Sequence, residues 1–133
     1  MPENKADKKQ IFCVIRRKYV ALTPEEHVRQ NILNYFINKC SYPQALISVE
    51  AQIKVGKLLK RYDIVVYTYQ WQPWLLVECK QPAVELTQEI LNQILSYNHT
   101  LKAPYLLITN GINYFCFSVK DNKRLNTLPK YPS

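Results

Sequence analysis

Two segments carry most of the architecture of this chain: Arg61-Tyr62-Asp63-Ile64-Val65-Val66-Tyr67 and, after a short aromatic loop, Trp74-Leu75-Leu76-Val77-Glu78-Cys79-Lys80. Both are dense in Val, Ile, Leu and aromatic residues, which is typical of buried strands. Each also carries charge at one end. A buried strand that ends in charge needs a reason, and a functional site would supply one.

Side chains alternate across a strand, so Glu78 and Lys80 are predicted to share one face. Asp63 is predicted to lie in the same way on its own strand, with Ile64 and Val66 on the opposite face. If the two strands pair, Asp63, Glu78 and Lys80 converge on one small patch.

Two carboxylates on rigid strands suit a hard divalent cation. Mg²⁺ binds through oxygen and often takes one or two carboxylates together with waters and phosphate oxygens. Lys80, two residues after Glu78, could orient an attacking water or neutralise charge on a phosphate. The pattern therefore indicates metal-assisted hydrolysis of a phosphodiester.

The order Asp, gap, Glu-x-Lys resembles the PD-(D/E)xK nuclease superfamily. Over residues 11 to 120 the chain is also similar to the N-terminal domain of type I restriction enzyme R subunits. The matching text is Arg17-Lys18-Tyr19-Val20, Leu22-Thr23-Pro24-Glu25-Glu26, Val28-Arg29-Gln30, Asp63-Ile64-Val65-Val66-Tyr67, Leu76-Val77-Glu78-Cys79-Lys80, Gln93 with Tyr97-Asn98, and Pro104-Tyr105 with Thr109-Asn110-Gly111.

The resemblance implies a metal-dependent DNA endonuclease that uses Mg²⁺, with Mn²⁺ as a substitute. It implies that Asp63, Glu78 and the backbone carbonyl of Cys79 bind the metal and that Lys80 orients the attacking water. In this superfamily an acid of the first helix leans toward the metal, which makes Glu26 a candidate ligand. Capping of the helix explains Glu26 equally well.

A glutamine four residues before a tyrosine on the second helix supports the metal-site lysine or reaches substrate phosphate in the superfamily. Gln93 and Tyr97 match that pair. Gln93 is expected to be an amide embedded in the apolar stripe of its helix, which requires a hydrogen-bond partner. An amide satisfied by backbone is the alternative.

The chain has 133 residues, a formal net charge of +8 and four cysteines without Cys-x-x-Cys spacing. The length suits one domain with its own core. The positive charge suits a polyanionic partner such as DNA, and Arg16, Arg17 and Lys18 are candidate phosphate contacts, with a solvated basic face as the alternative. The cysteines are expected to be structural thiols. The sequence shows neither a signal peptide nor a membrane span, which predicts a cytoplasmic protein.

Local signals predict the remaining elements. Thr23-Pro24-Glu25-Glu26 begins a helix that runs to about Lys39, with Glu26 completing a capping box. Strands follow at Ile47–Lys54 and Leu58–Tyr67 around Gly56, and Thr87 caps a second helix that ends near Leu101. Tyr105–Thr109 is predicted to run parallel to the strand of Glu78, and Tyr114–Val119 to return as an edge strand.

These elements give an α/β (α+β) chain in the order αβββαββ, with a mixed sheet of about five strands flanked by helices. The resemblance implies that this sheet is a restriction-endonuclease-like core. Residues 1–20 are predicted to be an arm with a basic segment, residues 21–120 the nuclease domain, and residues 121–133 a polar tail. The chain would act alone, as a homodimer, or within a larger restriction-type assembly. A DNA-binding or assembly module without catalysis is the second hypothesis.

Overall fold

The computed structural model describes residues 9–132 as a six-stranded mixed sheet with one helix on each face and a separate two-stranded hairpin. The elements are β1 (Gln10–Cys13), β2 (Lys18–Ala21), α1 (Pro24–Asn38), a 3₁₀ turn (Gln44–Leu46), β3 (Ile47–Val55), β4 (Leu58–Tyr67), β5 (Pro73–Cys79), α2 (Gln88–Leu101), β6 (Tyr105–Thr109), β7 (Tyr114–Ser118) and β8 (Lys123–Leu125). The mixed α+β class is as predicted.

The strands lie side by side in chain order from β3 to β8. Neighbours are antiparallel except β5 and β6, which pair in parallel with Leu75 opposite Tyr105 and Cys79 opposite Thr109. Helix α2 makes the crossover between these two strands, as the sequence predicts. The crossover places the ends of β5 and β6 beside each other.

Two elements differ from the prediction. Residues 10–21 form the hairpin β1–β2, whose Cys13 is fully buried, whereas the sequence predicts an arm with a basic segment over residues 1–20 and no strands there. Residues 123–125 add a sixth strand, so β7 is an inner strand and β8 forms the edge. The part of the predicted arm before residue 9 lies outside the described residues.

The tail after β8 packs on the sheet rather than leaving it. Tyr131 donates a hydrogen bond to the carbonyl of Tyr67 at 2.7 Å, and Tyr42 donates one to the carbonyl of Pro129 at 2.6 Å. Trp74 packs edge to face against both Tyr42 and Tyr131. These aromatic contacts close one end of the core, at the end of β5 opposite to Glu78.

Two apolar layers fill the space between the sheet and the helices. The layer under α1 includes Leu33, Phe36, Ile64, Val77 and Leu107. The layer under α2 includes Val65, Leu76, Leu91, Ile94 and Ile108. The four cysteines are free thiols, and those of β5 and β7, Cys79 and Cys116, are buried as predicted.

Candidate active site

Asp63 ends the pairing of β4 with β5. The last backbone pair of these strands is Ile64 with Val77. Beyond it the amide of Cys79 donates a hydrogen bond to Oδ2 of Asp63 at 2.8 Å instead of to a strand carbonyl. The side chain therefore holds the two strands together at the point where they begin to separate.

Glu78 and Lys80 lie at the same point on β5. Lys80 Nζ is 3.1 Å from Glu78 Oε2, and each side chain keeps about a quarter of its surface exposed (26% and 27%). The amide of Lys80 donates to the carbonyl of Thr109 at 2.9 Å, which fixes the end of β5 to β6. The structure thus places the Glu78–Lys80 pair on rigid backbone, at the register position next to Asp63.

Burial and neighbouring charges have opposing effects on the pKa values of Glu78 and Lys80. Burial, together with the negative charge of Asp63, raises the pKa of Glu78, and the neighbouring Lys80 offsets only part of the rise. For Lys80, burial favours the neutral amine, but the hydrogen bond and charge of Glu78 outweigh it and raise the pKa. Lys80 is therefore a protonated donor at neutral pH and not a general base.

Arg29 of α1 is a site residue that the sequence prediction did not assign. Its NH2 group lies 2.7 Å from Asp63 Oδ1 and 3.0 Å from Glu25 Oε2, while NH1 bonds to Glu26. The residue is only 5% exposed. Burial alone would lower the pKa of Arg29, but the bond to Asp63 raises it above its ordinary value, so Arg29 is permanently charged. A signal was present, since Arg29 falls in phase with the buried Leu33 and Phe36 on α1.

Glu26 does not complete the predicted capping box. Thr23 caps α1 by accepting from the amide of Glu26 at 3.0 Å, but the Glu26 carboxylate turns away and accepts from Arg16, Arg29 and Gln30. Burial opposes its ionisation, yet the bonds from Arg16 and Gln30 and the charges of the two arginines lower its pKa. Glu26 reaches Asp63 through the shared guanidinium of Arg29.

The predicted basic segment is divided by the structure. Arg16 is largely buried, with 14% of its side chain exposed, and pairs with Glu26 and with Glu50 at 2.8 Å. Arg16 therefore lies in a cluster of ion pairs rather than on a solvated face, and its contact with DNA stays a prediction. Arg17 and Lys18 are exposed beside it at the β1–β2 turn.

Gln93 does not lie in the apolar stripe of α2, which corrects the sequence prediction. Its side chain is exposed and donates to the hydroxyl of Tyr97 at 2.8 Å, rather than to Asp63, Glu78 or Lys80. The buried amide of this helix is Asn98, which exchanges two hydrogen bonds with the backbone of Ala103, at 2.8 and 2.9 Å.

The regular alternation of side chains between the two faces of the sheet is interrupted in β3 and β4 at the site. In β4, Tyr62 packs in the layer under α2 whereas Ile64 packs in the layer under α1, although regular alternation would put both on one side. Glu50, at the matching position of β3, has a φ of 55°. This conformation is strained for a residue with a side chain. Asp63 pairs with Arg29 of α1, the helix that covers Ile64 and Val66. The predicted opposition of Asp63 to Ile64 and Val66 is therefore wrong, because the alternation is interrupted between Tyr62 and Ile64.

The carboxylates of Asp63 and Glu78 fit a Mg²⁺ site in which waters and phosphate oxygens supply the remaining ligands. Within residues 9–132, no three His, Cys, Asp or Glu side chains are grouped so as to hold a metal by themselves. Asp63 and Glu78 are neighbouring carboxylates, and the pKa of Glu78 is raised first by burial and then by the negative charge of Asp63, which a cation would offset. Mg²⁺ is commonly held by one or two carboxylates, with waters and substrate phosphates as the other ligands.

Comparison with known proteins identifies the family. The family model described as "Type I restriction enzyme R protein N terminus" matches residues 24–132. The chain belongs to this family. No curated protein sequence matches the chain.

A solved structure has a fold similar to that of this chain. A fragment assigned to the HsdR subunit of a type I restriction enzyme from Vibrio vulnificus YJ016 superposes with a TM-score of 0.61 at 18% sequence identity. The match covers 82% of this chain and 24% of the Vibrio chain. In the described part of the present chain, no helix is long and apolar enough to cross a membrane.

Proposed function

We propose that this domain is a Mg²⁺-dependent deoxyribonuclease of the PD-(D/E)xK type that hydrolyses phosphodiester bonds in DNA, with Mn²⁺ able to replace Mg²⁺. The observation that carries the proposal is the meeting of Asp63, Glu78 and Lys80 where β4 and β5 separate. Buried or half-buried ion pairs are poor sources of stability. A catalytic use explains better than stability alone why this sheet ends in two acids and a lysine.

The metal ligands in this proposal are Asp63, Glu78 and the backbone carbonyl of Cys79. Asp63 accepts one hydrogen bond on each oxygen, and each carboxylate oxygen has a second lone pair for a cation. When bound, the cation would polarise the phosphate and lower the pKa of a bound water. The guanidinium of Arg29 lies between Glu26 and Asp63. We therefore propose that Glu26 positions Arg29 and does not bind the metal.

Lys80 has the role of a fixed positive donor. It is held by Glu78 and its pKa is raised, so it can orient the attacking water and stabilise charge on the phosphate in the transition state. Gln93 and Tyr97 form a hydrogen-bonded pair on α2. We assign this pair, with Arg17 and Lys18, to contacts with the DNA backbone.

The domain matches about a quarter of the length of the Vibrio chain. We therefore propose that this domain supplies the DNA cleavage activity of a restriction-type assembly. The alternative is a homodimer that cuts both strands. Such an enzyme would act in the cytoplasm.

A non-catalytic DNA-binding or assembly module is the second candidate, and the ion pair of Arg29 with Asp63 favours it. In such a module Arg29 would permanently replace the metal as the cation beside Asp63. The two functions differ in whether Asp63 and Glu78 take up Mg²⁺ or Mn²⁺.

Calorimetric titration with Mn²⁺ tests this difference. We expect one site in the wild type and none in Asp63→Asn or Glu78→Gln, with Glu85→Gln as a control for an exposed carboxylate outside the site. Circular dichroism should show the native fold in all four proteins. Equal Mn²⁺ binding by the wild type and both site variants, or a folded wild type that binds none, would exclude the metal site.

A further inference from the structure

The hairpin of β3 and β4 continues beyond the sheet as a two-stranded ribbon. β4 pairs with β5 only from Ile64 onward, whereas its pairing with β3 continues from Ala51 opposite Tyr62 to Val55 opposite Leu58. Five paired positions extend past the site, which is about 16 Å at the usual rise per residue. The ribbon (residues 51–62) therefore begins at Asp63 and ends at a two-residue turn in which Gly56 has a φ of 62°.

The ribbon is basic and contains no acid. Its charged residues are Lys54, Lys57, Lys60 and Arg61. The side chain of Arg61 is 62% exposed and stays within 3.5 Å of Glu50 at the base of the ribbon. Residues 51–62 thus hold half of the net charge of +8 in one short projection.

The two faces of the ribbon have different environments. Ile53 packs against the layer under α2, and Lys60 Nζ lies 4.5 Å from the centre of the Tyr97 ring. The opposite face carries exposed side chains at paired positions, Lys54 with Leu59 and Gln52 with Arg61. One face anchors the ribbon to α2, and the other is left for a partner.

Two exposed leucines lie at the end of the ribbon. Leu58 is 64% exposed and Leu59 is 68% exposed. Apolar side chains beside lysines suit a nucleic-acid partner, because the lysines can contact phosphates while the leucines contact bases and sugars. A two-stranded β-ribbon also has the width that the major groove of B-DNA admits.

We propose that the β3–β4 ribbon is a duplex-DNA contact that enters a groove beside the phosphate presented to Asp63 and Glu78. Charge complementarity and groove width select duplex DNA over a second copy of the chain. The inference rests on the proposed function, because DNA is also the substrate of the neighbouring site. It goes further by naming duplex DNA and the element that holds it.

Binding without metal separates the two proposals. The experiment measures fluorescence anisotropy of a labelled duplex in EDTA, where cleavage plays no part, over a range of salt concentrations. The ribbon variant is Lys54→Gln/Lys57→Gln. The control is Lys120→Gln/Lys123→Gln, which removes the same charge at the exposed β7–β8 turn on the opposite edge of the sheet.

The ribbon variant should bind duplex DNA about tenfold more weakly, and the slope of log K against log salt should fall by about 2 because two phosphate contacts are lost. The control should stay within about twofold of the wild type. Asp63→Asn should keep the ribbon-dependent binding, so loss of cleavage and loss of the ribbon contact are distinguishable.

Three results would overturn the proposal. In the first, the ribbon variant and the wild type bind duplex DNA with the same affinity and salt slope. In the second, the control loses as much affinity as the ribbon variant. In the third, sedimentation shows a dimer that Leu58→Ser/Leu59→Ser dissolves while duplex affinity stays unchanged, which would assign the ribbon to a second copy.

Discussion

The amide of Cys79 donates to the Asp63 carboxylate at 2.8 Å, so the acid of β4 is tied to the backbone between Glu78 and Lys80. This bond holds Asp63 beside Glu78 and Lys80. It also gives Asp63 a structural role beside the catalytic role proposed for it, and the two roles can be separated by substitution.

Asp63→Asn and Asp63→Ala should differ in stability and agree in activity. Asparagine keeps an oxygen for the amide of Cys79, whereas alanine leaves that amide without its acceptor at a cost of about 1–3 kcal/mol. Urea unfolding should therefore rank the alanine variant below the asparagine variant. Both should lose Mn²⁺ binding. Retained Mn²⁺ binding in the asparagine variant would remove Asp63 from the metal site.

Arg29→Gln should destabilise the fold and make its stability depend on metal. The change leaves Glu26 and Asp63 without their shared cation, and breaking such a buried pair typically costs about 3–5 kcal/mol. A divalent cation at Asp63 would replace part of the lost positive charge. Thermal unfolding with and without Mn²⁺ should show a larger rise in Tm for Arg29→Gln than for the wild type.

The exposed Arg124, which packs over Phe115, supplies the control for Arg29. Arg124→Gln removes the same charge without touching the site, so its response to Mn²⁺ should equal that of the wild type. An equal Mn²⁺ response in all three proteins would show that Arg29 and the metal do not share Asp63.

Glu26 and Glu78 should have opposite effects on stability. The pKa of Glu26 is lowered by its bonds and neighbouring charges, which outweigh burial. Its contribution to stability is therefore present above its ordinary pKa and is lost as pH falls through the lowered value. The pKa of Glu78 is raised by burial and by Asp63, so its ionisation lowers stability as pH rises from the ordinary pKa to the raised value, and the full penalty is present above it.

The measurement is the free energy of unfolding between pH 3 and pH 8. At neutral pH Glu26→Gln should be less stable than the wild type and should lose part of the acid dependence. Glu78→Gln should be more stable at neutral pH, with the gain shrinking as pH falls. A destabilised Glu78→Gln at neutral pH would contradict the electrostatic description of the site.

Gln93→Ala tests a contact to substrate apart from the metal. The side chain is exposed, and its partner within residues 9–132 is Tyr97 of the same helix, so its loss should change stability by less than about 0.5 kcal/mol. Cleavage should fall roughly tenfold, as for the loss of one hydrogen bond to a phosphate. Mn²⁺ affinity should stay unchanged, and a fall in that affinity would return Gln93 to the support of the metal site.

The elements that local pattern determines were predictable. Strands β3 to β7 and helix α2 follow from runs of apolar residues and from the cap at Thr87, which accepts the amide of Ile90. Strand β8 is only three residues long. A strand of that length has no usable periodicity, and it forms because β7 offers an unpaired edge.

The candidate site was predictable at the residues that share one segment. Glu78 and Lys80 are two positions apart on one strand, so alternation places them together. The helical phase of Arg29 indicates that it is buried, but its partner Asp63 lies 34 positions along the chain, and no local pattern identifies that contact. The Gln93 error has a similar origin, since the buried stripe of α2 follows Leu91, Ile94, Asn98 and Leu101, and the side of a helix that meets a sheet is set by tertiary packing.

Cleavage of DNA by the wild type and by Lys80→Ala tests the central claim most directly. Supercoiled plasmid and single-stranded DNA are incubated with Mg²⁺ or Mn²⁺ at matched purity, with Lys120→Ala as the control for an exposed lysine away from the site. The proposal predicts nicking or linearisation by the wild type and the control and its loss in Lys80→Ala. Equal cleavage by the wild type and Lys80→Ala, or no cleavage by any of the folded proteins, would contradict it.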